Sequence, residues 1–202
     1  DQLTPSLPAL VEANPESDHV LMAEVAEEAG YTNHHKQKLV LIFSAMRHFA
    51  AELEQAGWCV HYHAFDPDSA YESLGDVVRS SAESLGAEGV VATECGEWRL
   101  DQAMRQWELP APLSIRSDNR FFATVERFQK WSRNRKQWRM EYFYRELRRE
   151  AGLLMTADGQ PVGGEWNLDA ANRKKWKGDP PAPPPFRVEP DATTEAVIAE
   201  VE

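Results

Sequence analysis

Cysteine is scarce in this 202-residue chain: Cys59 and Cys95 are the only two. Two thiols build no disulfide framework and suit a reducing cytosol. They are too few to hold zinc or an iron–sulfur cluster by themselves, and the spacing of the histidines matches no zinc pattern, so no metal site is read here. No apolar run approaches the roughly 18–20 residues that a bilayer span requires. No G-x-G-x-x-G, no G-x-S-x-G elbow and no glycine-rich loop ending in Lys-Ser/Thr occurs. Those absences argue against a dinucleotide fingerprint, a hydrolase nucleophile and a P-loop. No secretory signal is visible. The expectation is a cytoplasmic, monomeric chain whose own chemistry is binding rather than turnover.

What is there is acidic overall and basic in one place. The formal net charge is −11, which argues against nucleic-acid affinity over the whole surface. Yet residues 116–150 hold eleven Arg/Lys against five Asp/Glu, half of the 22 basic residues of the chain. Such asymmetry points to a basic face with its own partner, or to solvated helices laced with ion pairs.

With 42% hydrophobic residues the chain has enough for one core of ordinary size. Strand and helix patterns alternate, which predicts an α/β fold, a Rossmann-like three-layer sandwich around a mostly parallel five-stranded sheet. Strands are read near 19–24, 58–65, 89–93 and 112–116. The fifth is a truncated first strand, of which Asp1-Gln2 is the polar tip. Helices are read over 35–56, 69–85, 98–108, 124–133 and 138–150, with Gly57, Gly86 and Gly152 as stops. Leu39, Ile42, Phe43, Met46, Phe49, Ala50 and Leu53 mark the buried face of the first. Residues 1–152 then form the α/β domain. Residues 153–202 read as a turn-rich connection, a proline-rich linker over 179–185, and a helix starting at Thr193-Thr194-Glu195 that leads towards a further domain.

Parallel sheets bind ligands beyond the carboxyl ends of their strands, so polar clusters there share one candidate crevice. Glu24 and Glu28 follow the 19–24 strand; they either accept hydrogen bonds from a ligand's ring N–H or sugar hydroxyls, or solvate a loop. His34 and His35 point about 100° apart on a helix and do not easily serve one site. Glu94, Gly96 and Glu97 follow the 89–93 strand. Gly96 permits close backbone approach, while the two carboxylates repel phosphate, so a ligand here is neutral, cationic or rich in hydroxyl donors. Phe128, Trp131, Trp138, Tyr142, Phe143 and Tyr144 interleave with Arg and Lys, as in nucleic-acid stacking surfaces and in domain-docking faces alike.

Longer motifs sharpen this. Asp1-Gln2-Leu3, Tyr31 with His34-His35-Lys36, residues 42–49 (Ile-Phe-Ser-Ala-Met-Arg-His-Phe), Glu97-Trp98-Arg99, Arg116-Ser117-Asp118, residues 140–146 (Met-Glu-Tyr-Phe-Tyr-Arg-Glu) and residues 163–169 (Gly-Gly-Glu-Trp-Asn-Leu-Asp) together resemble the photolyase-related family of iron–sulfur bacterial cryptochromes and prokaryotic (6-4) photolyases. The resemblance covers nearly the whole chain. It implies an N-terminal antenna domain that binds 6,7-dimethyl-8-ribityllumazine. It also implies a further helical domain carrying FAD and a [4Fe-4S] cluster, and a parent that repairs (6-4) photoproducts in DNA or senses blue light. By motif position the family's antenna-contacting glutamate falls on Glu28 and its strand-end aspartate on Asp1. The candidate antenna set is Asp1, Gln2, Glu24, Glu28, Tyr31, Gly96 and Glu97. The candidate interdomain or DNA-facing set is Trp138, Tyr142, Arg145 and Trp166. A nucleotide- or DNA-binding Rossmann-like module without catalysis is the other reading.

Overall fold

Parallel strands cannot be joined by tight hairpins; each connection needs a crossover, usually a helix. The protein, a computed structural model describing residues 3–169, 173, 175, 177, 178 and 180–201, follows that rule. Short helix α1 (Pro8–Val11) precedes strand β1 (His19–Ala23). Helices α2 (Ala26–Gly30) and α3 (Lys36–Gln55) lead to β2 (Cys59–His63). Helix α4 (Leu74–Leu85) leads to β3 (Val90–Thr93), and α5 (Trp98–Met104) to β4 (Leu113–Arg116). Helices α6 (Val125–Ser132), α7 (Met140–Ala151) and α8 (Ala192–Val201) follow. Among the described residues no helix is long and apolar enough to cross a membrane.

The α/β class and the parallel pairing are as the alternation predicts. The single five-stranded sheet is not seen. Among the described residues there are four strands in two separate pairs, β1 with β2 and β3 with β4. β1 spends one edge on β2 and β3 one edge on β4, and among the described residues no backbone ladder joins the free edges of the two pairs.

The chain divides into two compact units, Asp1–Asp118 with Glu189–Glu202, and Asn119–Val188. In the first, α3 buries Phe43, Phe49, Ala50 and Leu53, while Ile42 is exposed. Gly57 at φ 91° closes α3: Trp58 N–H reaches back to the Leu53 carbonyl at 3.0 Å, a turn that only a left-handed residue completes cheaply. Helix α4 begins five residues later than its periodicity suggests. Asp66 and Ser69 side chains take up the backbone N–H groups of Asp68 and Tyr71 in turns, and the Ser73–Asp76 capping box then starts the helix. Helix α5 stops at Met104, ahead of Pro110.

Helix α8 begins at Ala192, because Asp191 caps it by accepting from Thr194 N–H at 2.9 Å. Asp179, the first residue of the expected linker, lies outside the described residues. Helix α8 packs on α3, with Val197 fully buried. His48 of α3 faces an acceptor on each ring nitrogen, the Ser44 carbonyl at 2.7 Å and Asp191 at 2.6 Å. The Asp191 hydrogen bond, then that to Ser44, raises its pKa above 6.5. Asp191 is lowered to about 2, chiefly by the Thr194 backbone N–H and then by His48.

The signs fix a pH window. The contribution of His48 is complete below about pH 6.5 and is lost as pH rises through its raised value. That of Asp191 is present above pH 3.8 and is lost as pH falls towards about 2. The hold on α8 is therefore firmest between about pH 4 and 6.5 and loosens in alkali. Amide exchange in α8, corrected for its intrinsic pH dependence, should accelerate from pH 6 to 9 in the native chain and stay flat in His48→Gln. The same acceleration in both proteins would refute the coupling.

Candidate functional site

Two carboxylates four residues apart, Glu24 and Glu28, follow β1, and folding gives them different work. Glu24 continues the β1–β2 ladder, its N–H donating to the His63 carbonyl at 2.9 Å. That turns its side chain inward, where it is 0% exposed. Arg47 of α3 grips it with two hydrogen bonds, Nε to Oε1 at 2.9 Å and Nη2 to Oε2 at 2.8 Å. The Tyr62 hydroxyl donates to Oε1, and Phe65 N–H to Oε2 at 2.7 Å. Burial first, and the hydrogen bond to Glu24 second, push the Tyr62 pKa well above its usual value. Arg47 also donates to Glu200 at 3.1 and 2.5 Å, so one guanidinium ties β1, α3 and α8 together.

Glu28 sits one turn on, in short helix α2, and meets residues that leave the end of β3. Arg99 donates from Nη2 to Glu28 Oε2 at 2.7 Å and from Nε to Glu97 Oε1 at 2.8 Å. Its guanidinium carbon lies 4.4 Å from the centre of the Tyr31 ring, a cation–π distance. Tyr31 in turn meets His34 edge-on at 5.1 Å. Glu28, then Glu97, holds the guanidinium still more firmly protonated than an ordinary arginine. Around Gly96 a Cβ would find nothing within 4 Å, so space is open there. The most informative atom is Glu28 Oε1, which is buried and has no hydrogen-bond partner. An orphaned carboxylate oxygen is costly unless a donor from a bound molecule satisfies it.

Thus the structure brings Glu28, Tyr31 and Glu97 together, as the strand-end rule suggests, with Gly96 beside Glu97 in sequence. Asp1 and Gln2 lie outside the described residues. Arg99, absent from the candidate set, is the hub that joins the other three. In the sequence it stands in the Glu97-Trp98-Arg99 motif beyond the 89–93 strand, but nothing there marks it as the residue that joins the others.

The second candidate group lies in the unit Asn119–Val188, built on α6 and α7. Trp131 and Phe143 form its buried core with Phe128, and Trp138 stacks edge-on against Phe128 at 6.3 Å while remaining 63% exposed. Arg127 of α6 pairs with Glu146 and Glu150 of α7, so part of the basic surplus is neutralised within the unit. Arg145 pairs with Glu141 and lies over the rings of Tyr142 and Trp166, at 5.8 and 5.4 Å. Arg148 and Arg149 approach Trp166 at 5.4 and 4.5 Å. Tyr142, Arg145 and Trp166 therefore form one cluster, and Trp138 belongs to the aromatic cluster of α6.

Residues 1–202 match the family described as deoxyribodipyrimidine photo-lyase-related protein. The chain is 43% identical to a (6-4) photolyase of Agrobacterium fabrum over its whole length. It spans 40% of the length of that relative.

Proposed function

This chain belongs to the deoxyribodipyrimidine photo-lyase-related protein family, and from that premise we propose that it is the antenna-pigment-binding part of a light-driven flavoprotein. Residues 1–152 would form the antenna-type domain, of Rossmann-like α/β class. The remainder of the protein would carry FAD and a [4Fe-4S] cluster and act in the cytoplasm on (6-4) photoproducts in DNA, or as a blue-light receptor.

The observation that carries the reading is the unpartnered Glu28 Oε1 beyond the strand ends. A lumazine with its ribityl chain offers the uncharged hydroxyl and ring N–H donors that such an oxygen accepts. The bound pigment supplies absorption of near-UV and blue light and passes the excitation to the flavin. The residues of the chain hold and orient it. Glu28 accepts, Arg99 fixes the Glu28 carboxylate through its other oxygen, and Tyr31 and Glu97 fix Arg99. Glu24 acts from inside, anchoring the end of β1.

The decisive experiment is the absorbance of the purified full-length protein, followed by chromatography of the released pigments. Lumazine and flavin should both appear. A protein carrying neither rejects the proposal. The Trp166 cluster, with Arg145, Arg148 and Arg149 around one indole, favours a second reading in which this region meets DNA or the protein's own flavin domain. Salt-dependent DNA affinity of this chain alone would favour the DNA arm.

A further inference from the structure

At the opposite ends of the same strands, three metal-ligating side chains converge. His19 opens β1 and Cys59 opens β2, and the parallel register sets them directly across from each other. His61 lies two residues beyond Cys59 and therefore on the same face. His19 Nδ1 is 2.8 Å from His61 Nε2, and Cys59 Sγ is 3.7 Å from that same nitrogen. One ligand atom from each of the three falls within 4.8 Å of the others. His19 and Cys59 are exposed and His61 is half-buried, so an ion has a way in.

We propose that His19, Cys59 and His61 form a binding site for one borderline divalent metal ion, of which Zn²⁺ is the type. The donor set decides the class, since imidazole and thiolate select Zn²⁺ over the oxygen-seeking Mg²⁺ and Ca²⁺. The spacing fits as well. With Zn–N near 2.05 Å and Zn–S near 2.3 Å, a tetrahedral ion separates two nitrogens by about 3.3 Å and nitrogen from sulfur by about 3.6 Å. The observed 3.7 Å already matches, and the 2.8 Å His–His hydrogen bond must open by about half an ångström. Binding replaces that hydrogen bond with two Zn–N bonds and one Zn–S bond in place of three of the ion's water ligands: the ring nitrogen that had donated gives up its proton as that imidazole becomes protonated on its other nitrogen, and the Cys59 thiol proton goes to solvent. Three protein ligands leave a fourth position for water or an outside donor. The ion pins the starts of β1 and β2 and is independent of pigment, because Glu28 lies past the other end of β1.

The test uses metal-stripped chain under reducing conditions. Zn²⁺ is titrated against a chromophoric chelator, and Co²⁺ is added separately to read the near-UV thiolate-to-cobalt band. One saturable equivalent is expected, with a band that Cys59→Ser abolishes and Cys95→Ser leaves intact. Loss of a second-shell partner alone costs a metal site about 10- to 100-fold, so Cys59→Ser and His61→Ala should each weaken Zn²⁺ at least about 100-fold. Far-UV circular dichroism checks that each variant folds, and exposed Cys59 carries the test should His61→Ala unfold. Absence of a saturable equivalent, or a thiolate band that follows Cys95, overturns the proposal.

Discussion

Arg47→Met should destabilise the chain by about 3–5 kcal/mol, the range for removing one partner of a buried ion pair. Glu24 is 0% and Arg47 only 16% exposed at the side chain, so bulk water is a poor replacement for the lost guanidinium. The Glu24 carboxylate would keep two donors, the Tyr62 hydroxyl and Phe65 N–H, and lose the charge that balances it. Helix α8 would lose one of its ties to α3 at the same stroke, through Glu200. Tyr62→Phe deletes one donor and leaves the ion pair, so about 1–3 kcal/mol is expected there. The double change Glu24→Leu with Arg47→Met should be milder than Arg47→Met alone, because no unpaired charge remains to be buried. Urea midpoints at constant slope measure all three. An Arg47→Met chain within about 1 kcal/mol of the parent would show that this pair is not a keystone of the unit.

What could be read from the residues follows a physical line. Helix ends at Gly57, Gly86 and Gly152 were legible because a left-handed residue after an amphipathic run has a local cause, and all three have positive φ. The late start of α4 was not, since the Ser73–Asp76 box competes with a periodicity that runs on through it. The four strands were found near their places as parallel pairs. Their division into two sheets was hidden, because pairing depends on partners far apart in the chain. Side-chain chemistry followed the same divide. Motif position favours Glu28 over Glu24 as the contact residue, but only the fold shows why, with Glu24 saturated by Arg47 and Glu28 left with an open oxygen. Arg99 and the His19–Cys59–His61 group needed the fold outright, since a crossover or a strand register brings their members together across tens of residues.

That divide between the two glutamates yields the sharpest functional expectation. Glu28→Ala should weaken lumazine binding to the full-length apoprotein roughly 10- to 150-fold, the worth of one charge-assisted hydrogen bond of about 1.5–3 kcal/mol. Glu24→Ala should leave pigment affinity within a few-fold wherever the protein is still folded, while lowering the urea midpoint. All of its hydrogen bonds already go to the chain itself. Arg99→Met should fall between them, because it frees the Glu28 carboxylate to rotate without removing the acceptor. Fluorescence titration gives the affinities, and chemical denaturation of the same samples gives the stabilities, so the two effects are read separately. If both alanine variants bound pigment equally well, Oε1 of Glu28 would not be the acceptor, and the open oxygen beyond the strand ends would have to serve some other donor.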